Sequence, residues 1–77
     1  MPQITVNVYA TLREFTGGAG SVEVDVEPGR TIGEVLDQLG IPHDKTRIIF
    51  VNNRSAKFDD QLEGNERVDL FSAIGGG

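Results

Sequence analysis

The chain has 77 residues, which suits one domain near the lower size limit for a self-sufficient hydrophobic core. Its formal net charge of −5 argues against nucleic-acid binding, which requires clustered Lys and Arg. The absence of cysteine excludes disulfides, thiolate chemistry and Cys-based metal sites. No signal peptide is recognisable, and no stretch approaches the roughly 18 apolar residues of a membrane span, so we expect a cytoplasmic protein with no membrane partner.

The first third of the chain predicts two paired strands. Apolar and polar residues alternate over residues 4–9 and again over 22–27, which is the period of a half-buried strand. The glycine-rich stretch 17–20 lies between them and predicts a hairpin loop. Because the loop is local, the two strands should pair antiparallel.

A single helix is predicted next. Thr31 and Glu34 have the spacing of a capping box, in which each side chain accepts a hydrogen bond from the backbone N–H of the other residue. Apolar residues then follow helical spacing from Ile32 to Leu39, and Gly40 is a typical residue just beyond a helix end. We expect this helix to lie with its apolar stripe on the sheet.

The second half of the chain predicts two further strands and a short one. Residues 47–51 are rich in β-branched and aromatic side chains, and residues 55–58 suit a short edge strand. Leu62 is expected to fill the core, and residues 64–65 to form a tight turn. Alternation over residues 68–71 predicts a last strand. The sum is β-β-α-β-β, with one helix across a mixed sheet.

Three glycines end the sequence: Gly75, Gly76 and Gly77. They cannot hold a regular element at low cost, because glycine gives up more backbone freedom on folding than any other residue. Lacking Cβ atoms, they also form the thinnest chain that a polypeptide can present. Such a tail suits threading through a narrow channel into a partner's active site.

Four stretches of the chain stand at particular places in this order of elements: V-Y-A-T-L-R-E at residues 8–14, V-N at 51–52, L-E-G-N-E-R-V at 62–68 and the glycine pair at 76–77. Together they resemble the MoaD/ThiS family of ubiquitin-like sulfur carriers. The chain departs from the family where S-A-I stands at 72–74, a position at which family members often have proline. The resemblance implies an α+β protein of the ubiquitin-like β-grasp fold. Its mixed sheet would have four to five strands, with one main helix on one face.

The resemblance also implies a domain at residues 1–72, a flexible tail at 73–77 and a function for that tail. The Gly77 carboxylate would be adenylated with ATP by an E1-like adenylyltransferase and converted to a thiocarboxylate. Gly75 and Gly76 would thread into the partner. A sulfurtransferase and a sulfur-accepting synthase, such as the large subunit of molybdopterin synthase, would be the other partners. The chain itself would be a carrier that binds no cofactor.

An apolar docking surface is predicted beside the tail. If Val68 and Leu70 face the helix, Phe71 points to the open face of the sheet. By similarity to the equivalent ubiquitin strand, we expect Ile48 and Phe50 in the core and Ile49 exposed near Phe71. Phe71, Ile49 and Ile74 are therefore the predicted partner-binding residues.

Other functions stay open at this point. The favoured role is sulfur supply to molybdenum or tungsten cofactor assembly, with sulfur supply to thiamine, cysteine, homocysteine or transfer RNA as alternatives. A ubiquitin-like modifier would instead join Gly77 to target lysines by an isopeptide bond, and a plain binding module would not need its glycine end. His43 is expected in a solvated loop, and the acidic residues near residue 60 lack the spacing of a metal site.

Overall fold

The computed structural model describes residues 2–72 of the chain. Within this range the elements, in chain order, are β1 (Gln3–Val8), a 3-10 helix (Ala10–Thr16), β2 (Ser21–Asp25), β3 (Arg30–Thr31), α1 (Ile32–Leu39), a second 3-10 helix (His43–Lys45), β4 (Thr46–Val51), β5 (Arg54–Ser55), β6 (Gln61–Leu62) and β7 (Arg67–Ser72). The predicted order of strands and helix is confirmed.

The main sheet has five strands in the order β2-β1-β7-β4-β5. Strands β1 and β7 are parallel, and the other neighbours are antiparallel, so the sheet is mixed as predicted. Strands β3 and β6 form a separate two-stranded pair that the sequence analysis did not predict. The last strand, β7, is therefore the central strand of the main sheet.

The core lies between α1 and one face of the sheet. In the sheet register Val6 lies opposite Val68, and Leu70 lies between Val8 and Ile49, so one face is apolar across its three central strands. The buried apolar residues are Ile4, Val6, Val8, Leu12, Val24, Val26, Ile32, Val35, Leu36, Ile41, Ile49, Leu62, Val68 and Leu70. Leu62 fills the core as expected.

The start of α1 is fixed by the predicted capping box. The Thr31 hydroxyl accepts a hydrogen bond from the Glu34 N–H at 3.2 Å, and the Glu34 carboxylate accepts one from the Thr31 N–H at 2.9 Å. That backbone hydrogen bond, followed by the one from the Thr31 hydroxyl, lowers the pKa of Glu34. Gly40 ends the helix with a φ of 75°, a left-handed conformation that glycine adopts without a steric penalty.

Local elements account for most of the differences from the sequence analysis. Residues 10–16, to which the sequence patterns assigned no element, form a 3-10 helix that buries Leu12 completely. The short edge strand is Arg54–Ser55 rather than residues 55–58. It forms because Asn52 and Asn53, with φ values of 51° and 69°, make a two-residue hairpin turn directly after β4.

Candidate partner-docking site

The central strand leads directly to the predicted tail. Ser72, the last residue of β7, lies opposite Thr46 of β4. Strand β1 flanks β7 on its other side, so Ser72 lies in the middle of one end of the sheet. Four predicted site residues lie outside the described part of the chain: Ile74, Gly75, Gly76 and Gly77.

Four apolar side chains gather on the open face of the sheet at this end. The rings of Tyr9 and Phe71 are stacked, with centroids 4.5 Å apart and planes 7° from parallel. The ring of Phe50 meets Phe71 edge-on at 5.9 Å and 86°. Ile48 lies opposite Phe71 in the β4–β7 register and is 48% exposed. We call Tyr9, Ile48, Phe50 and Phe71 the apolar patch.

The expected orientation of β4 is wrong, and Ile49 is not part of the patch. Ile49 is only 5% exposed and belongs to the core, whereas Ile48 and Phe50 lie on the open face. Residues directly opposite in a sheet point to the same side. Ile49 lies opposite Leu70, which is buried, so Ile49 must also face the core. The register shift between Thr46 and Ile48, where the pairing is irregular, sets this alternation.

A buried carboxylate lies next to the patch. Asp69 is only 4% exposed although it points away from α1, on the same side of β7 as Phe71. Its Oδ1 accepts hydrogen bonds from Asn7 Nδ2 at 3.0 Å and from the Tyr9 hydroxyl at 3.3 Å. Its Oδ2 lies 3.5 Å from Nε of Arg67. The charge is thus paired and hydrogen-bonded, as burial of a carboxylate requires.

Tyr9 and Asp69 were not among the predicted site residues. The sequence did indicate which face each of them occupies, because each is adjacent in a predicted strand to a residue that was assigned to the core. Tyr9 follows Val8, and Asp69 stands between Val68 and Leu70, so both belong to the open face. Nothing in the sequence indicated the hydrogen bond between them, because it depends on the parallel pairing of β1 with β7.

His43 was expected in a solvated loop, and this expectation is wrong. It begins the second 3-10 helix, stacks on Phe58 with centroids 4.7 Å apart, and places Nε2 at 3.1 Å from the Gly33 carbonyl oxygen. The same nitrogen lies 3.0 Å from Oδ1 of Asp37. These contacts attach the chain after α1 to the helix. Among residues 2–72, no group of three His, Asp or Glu side chains is arranged to hold a metal ion.

Comparison with known proteins identifies the family. The family model described as the ThiS family matches residues 6–77. The chain belongs to the ThiS family. This confirms the resemblance to MoaD/ThiS-type ubiquitin-like sulfur carriers, which are small carrier proteins. No curated protein sequence matches the chain.

Solved structures share the fold of this ThiS-family chain at low sequence identity. The small archaeal modifier protein 1 of H. volcanii matches with a TM-score of 0.78 and 21% identity, over 96% of this chain and 100% of that one. A chain in the BexX/CysO complex of Amycolatopsis orientalis matches with a TM-score of 0.71 and 22% identity, over 96% and 99%.

A third match is a chain in the complex of subunits 1 and 2 of the molybdopterin-converting factor from Helicobacter pylori 26695. It has a TM-score of 0.64 and 11% identity, over 97% of this chain and 99% of that one. Together these structures confirm the ubiquitin-like β-grasp fold.

In the range that the structure describes, no helix is both long enough and apolar enough to cross a bilayer.

Proposed function

We propose that this protein is a sulfur carrier whose reactive group is the carboxylate of Gly77. The observation that carries the proposal is the match of the ThiS family model through residue 77, together with a central strand that leads directly to the glycine tail. The pathway that we favour is molybdopterin biosynthesis for the molybdenum or tungsten cofactor, in which the acceptor is the sulfur-free precursor of molybdopterin. One of the structures with this fold is a complex of the two molybdopterin-converting factor subunits.

The chemistry requires activation of the carboxylate. A carboxylate is a poor acyl donor, because its ground state is stabilised by resonance and oxide is not expelled. An E1-like enzyme would let a Gly77 oxygen attack the α-phosphorus of ATP, releasing pyrophosphate and leaving an acyl-adenylate. A sulfide equivalent from a sulfurtransferase would then attack the acyl carbon and expel AMP. The product is a thiocarboxylate, whose sulfur passes to the acceptor held by a synthase.

The chain acts in this scheme as a carrier and not as an enzyme. It has no cysteine to serve as a nucleophile. Its only histidine, His43, places Nε2 against the Gly33 carbonyl and Asp37, which are structural contacts of α1. The catalytic groups are therefore assigned to the partners.

The apolar patch is the proposed contact with those partners. Rigid aromatic side chains at the centre of an interface contribute a large share of binding energy. From Ser72, residues 73–77 reach about 17 Å when extended at 3.3–3.6 Å per residue. That length carries Gly77 from the patch into a buried active site, and we place Ile74 at the mouth of the channel. Gly75 and Gly76 fit where the channel is too narrow for a side chain.

A second candidate is a ubiquitin-like modifier. The specific observation that favours it is the fold shared with the small archaeal modifier protein 1. Activation of Gly77 by adenylation would be common to both functions. The two differ in the last step, since a modifier transfers its acyl group to a lysine amine whereas a carrier gives up sulfur. Transfer of sulfur to thiamine, cysteine, homocysteine or transfer RNA would differ only in the acceptor.

Exchange of labelled pyrophosphate into ATP tests activation. The activating enzyme should catalyse this exchange only when the intact chain is present. The variant Gly76→Ala should fold normally but lose exchange, because its added methyl group obstructs the channel. Normal exchange with Gly76→Ala would contradict threading, and normal exchange after removal of Gly77 would contradict the proposed function.

A further inference from the structure

The hairpin of β4 and β5 forms a basic edge on an acidic protein. Residues 45–57 contain four of the seven basic residues and none of the twelve acidic ones. The four are Lys45, Arg47, Arg54 and Lys57, and all are exposed. None of them takes part in an ion pair within residues 2–72. We call these four residues the basic edge.

The opposite edge of the sheet has the opposite charge. Residues 21–27, which include β2, contain Glu23, Asp25 and Glu27 and no basic residue. Strands β2 and β5 are the two outermost strands, so charge is separated across the full width of the sheet. A field of this kind orients a charged partner as it approaches and draws acidic groups to one edge.

The hairpin that carries the basic edge also has a stretch of strand without a partner strand. On the outer side of β4, β5 pairs only with Phe50 and Val51, and Ala56 donates one further hydrogen bond, of 2.9 Å, to the Ile49 carbonyl. Within the described chain no strand covers residues 46–48 on that side, and of their backbone groups the Thr46 N–H already donates to the His43 carbonyl. An uncovered strand edge is a template for pairing with an extended segment of another protein.

A groove with an apolar floor adjoins this stretch. It has a volume of about 450 Å³ and is lined by Arg47, Ile49, Ala56, Lys57, Phe58 and Asp59. Its wall is held in place, because the Phe58 ring stacks on His43 and its carbonyl oxygen accepts a 2.8 Å hydrogen bond from Gly33 N–H. Two basic residues and one acidic residue line the rim. The volume falls within the range of sites that accept a bulky apolar group.

We propose that the basic edge binds an extended, acidic peptide segment of a partner protein. The segment adds as a strand along residues 46–48 and places one apolar side chain in the groove, while its carboxylates meet Arg47 and Lys57. A nucleic acid fits less well, because it does not use an unpaired strand edge and the rest of this chain repels phosphate. This surface is separate from the apolar patch and does not depend on the chemistry of Gly77.

Titration of the isotope-labelled protein with a peptide, followed by NMR, tests the proposal. The probe is a seven-residue peptide with Val-Leu-Val at its centre, two aspartates on each side and blocked ends. We expect saturable shifts of backbone amides in residues 46–49 and 56–58. The same centre flanked by lysines, and the acidic peptide with N-methylated central residues, should both bind at least about tenfold more weakly.

Charge reversal identifies the residues responsible. Arg47→Glu and Lys57→Glu should each weaken binding of the acidic peptide by about tenfold. Arg13→Glu makes the same change in net charge at an exposed position outside the edge, and affinity should stay within about twofold. Lys57→Glu is the control for misfolding of Arg47→Glu. In the described chain Lys57 forms hydrogen bonds only through its backbone N–H and carbonyl, both to Asp60, so the substitution removes none of them.

Four results would overturn the proposal. They are equal binding of the acidic and lysine-flanked peptides, an equal loss of affinity in Arg13→Glu, shifts confined to the apolar patch, and no saturation at millimolar peptide. Tighter binding of single-stranded oligothymidylate at the same amides would also contradict it, and would make the edge a nucleic-acid site. None of these results bears on activation of Gly77.

Discussion

Tyr9 and Phe71 stack in parallel across β1 and β7, with ring centroids 4.5 Å apart. Each ring has a second contact. The Tyr9 hydroxyl donates a hydrogen bond to Asp69, and the Phe71 ring meets the Phe50 ring edge-on. Phe71 is also the next-to-last residue of the strand that leads to the tail. The apolar patch is therefore centred on the strand that directly precedes the tail.

Phe71→Ala should weaken docking without preventing folding. The change removes the centre of the patch, and we expect the KM of the activating enzyme for this protein to rise about tenfold or more while kcat changes little. Steady-state pyrophosphate exchange measures both constants. Phe15→Ala, which truncates a partly buried aromatic residue packed against the core, should leave the KM unchanged. A KM equally raised in both variants would count against the patch.

Two adjacent isoleucines should respond in opposite ways to the same change. Ile49→Ala opens a cavity in the core and should lower the free energy of unfolding by about 2–5 kcal/mol. Ile48→Ala, on the open face, should change it by no more than about 0.5 kcal/mol but should raise the KM for activation. Urea denaturation and pyrophosphate exchange separate the two effects. Greater destabilisation by Ile48→Ala would show that the register of β4 is wrong.

Asp69→Ala should destabilise the fold, because it removes the acceptor of the Asn7 and Tyr9 donors and leaves Arg67 without its ion pair. We expect a loss of about 1–3 kcal/mol in the free energy of unfolding, and about 0.5–1.5 kcal/mol for Tyr9→Phe. The double variant should lose less than the two single losses combined, since both changes remove the same hydrogen bond. Strict additivity in urea denaturation would contradict that bond.

The pH dependence of stability should include a contribution from Glu34. Its pKa is lowered from about 4.5 by hydrogen bonds from Thr31, first from the backbone N–H and then from the hydroxyl. The folded protein therefore binds fewer protons at this site than the unfolded chain does. The stabilisation is present above about pH 4.5 and is lost as the pH falls through the lowered pKa.

The variant Glu34→Gln checks this expectation, because it keeps the shape of the side chain and removes the charge. The difference in unfolding free energy between wild type and variant should be greatest near neutral pH and should shrink in acid. Denaturation at a series of pH values measures it. A difference that is independent of pH, or one that grows in acid, would contradict the assignment.

The sequence predicted the elements that depend on local patterns. The capping box at Thr31, the alternation of β1 and the glycine at the helix end each need only neighbouring residues, and each is confirmed. The family resemblance then supplied the fold. The side of β4 that faces the core depends instead on its register with β7 and on the irregular pairing near Arg47. Such long-range pairing leaves little trace in a single sequence.

Only part of the candidate site could be predicted, because its other contacts also depend on long-range pairing. Phe71 was placed on the open face correctly because Val68 and Leu70, on either side of Asp69, were recognised as core. The hydrogen bond from Tyr9 to Asp69 joins residues that are sixty positions apart in the chain. The basic edge could be recognised only from the strand order, which shows that residues 45–57 form one edge of the sheet.

Intact mass spectrometry tests the sulfur-carrier function most directly. The full chain is incubated with ATP, its activating enzyme and a sulfur source, and its mass is compared with that of a chain lacking Gly77. We expect a gain equal to the replacement of one oxygen atom by one sulfur atom, in the intact chain only. An unchanged mass, measured with an enzyme that forms the adenylate, would contradict the sulfur-carrier function. So would adducts of the chain to lysine-bearing proteins without any thiocarboxylate.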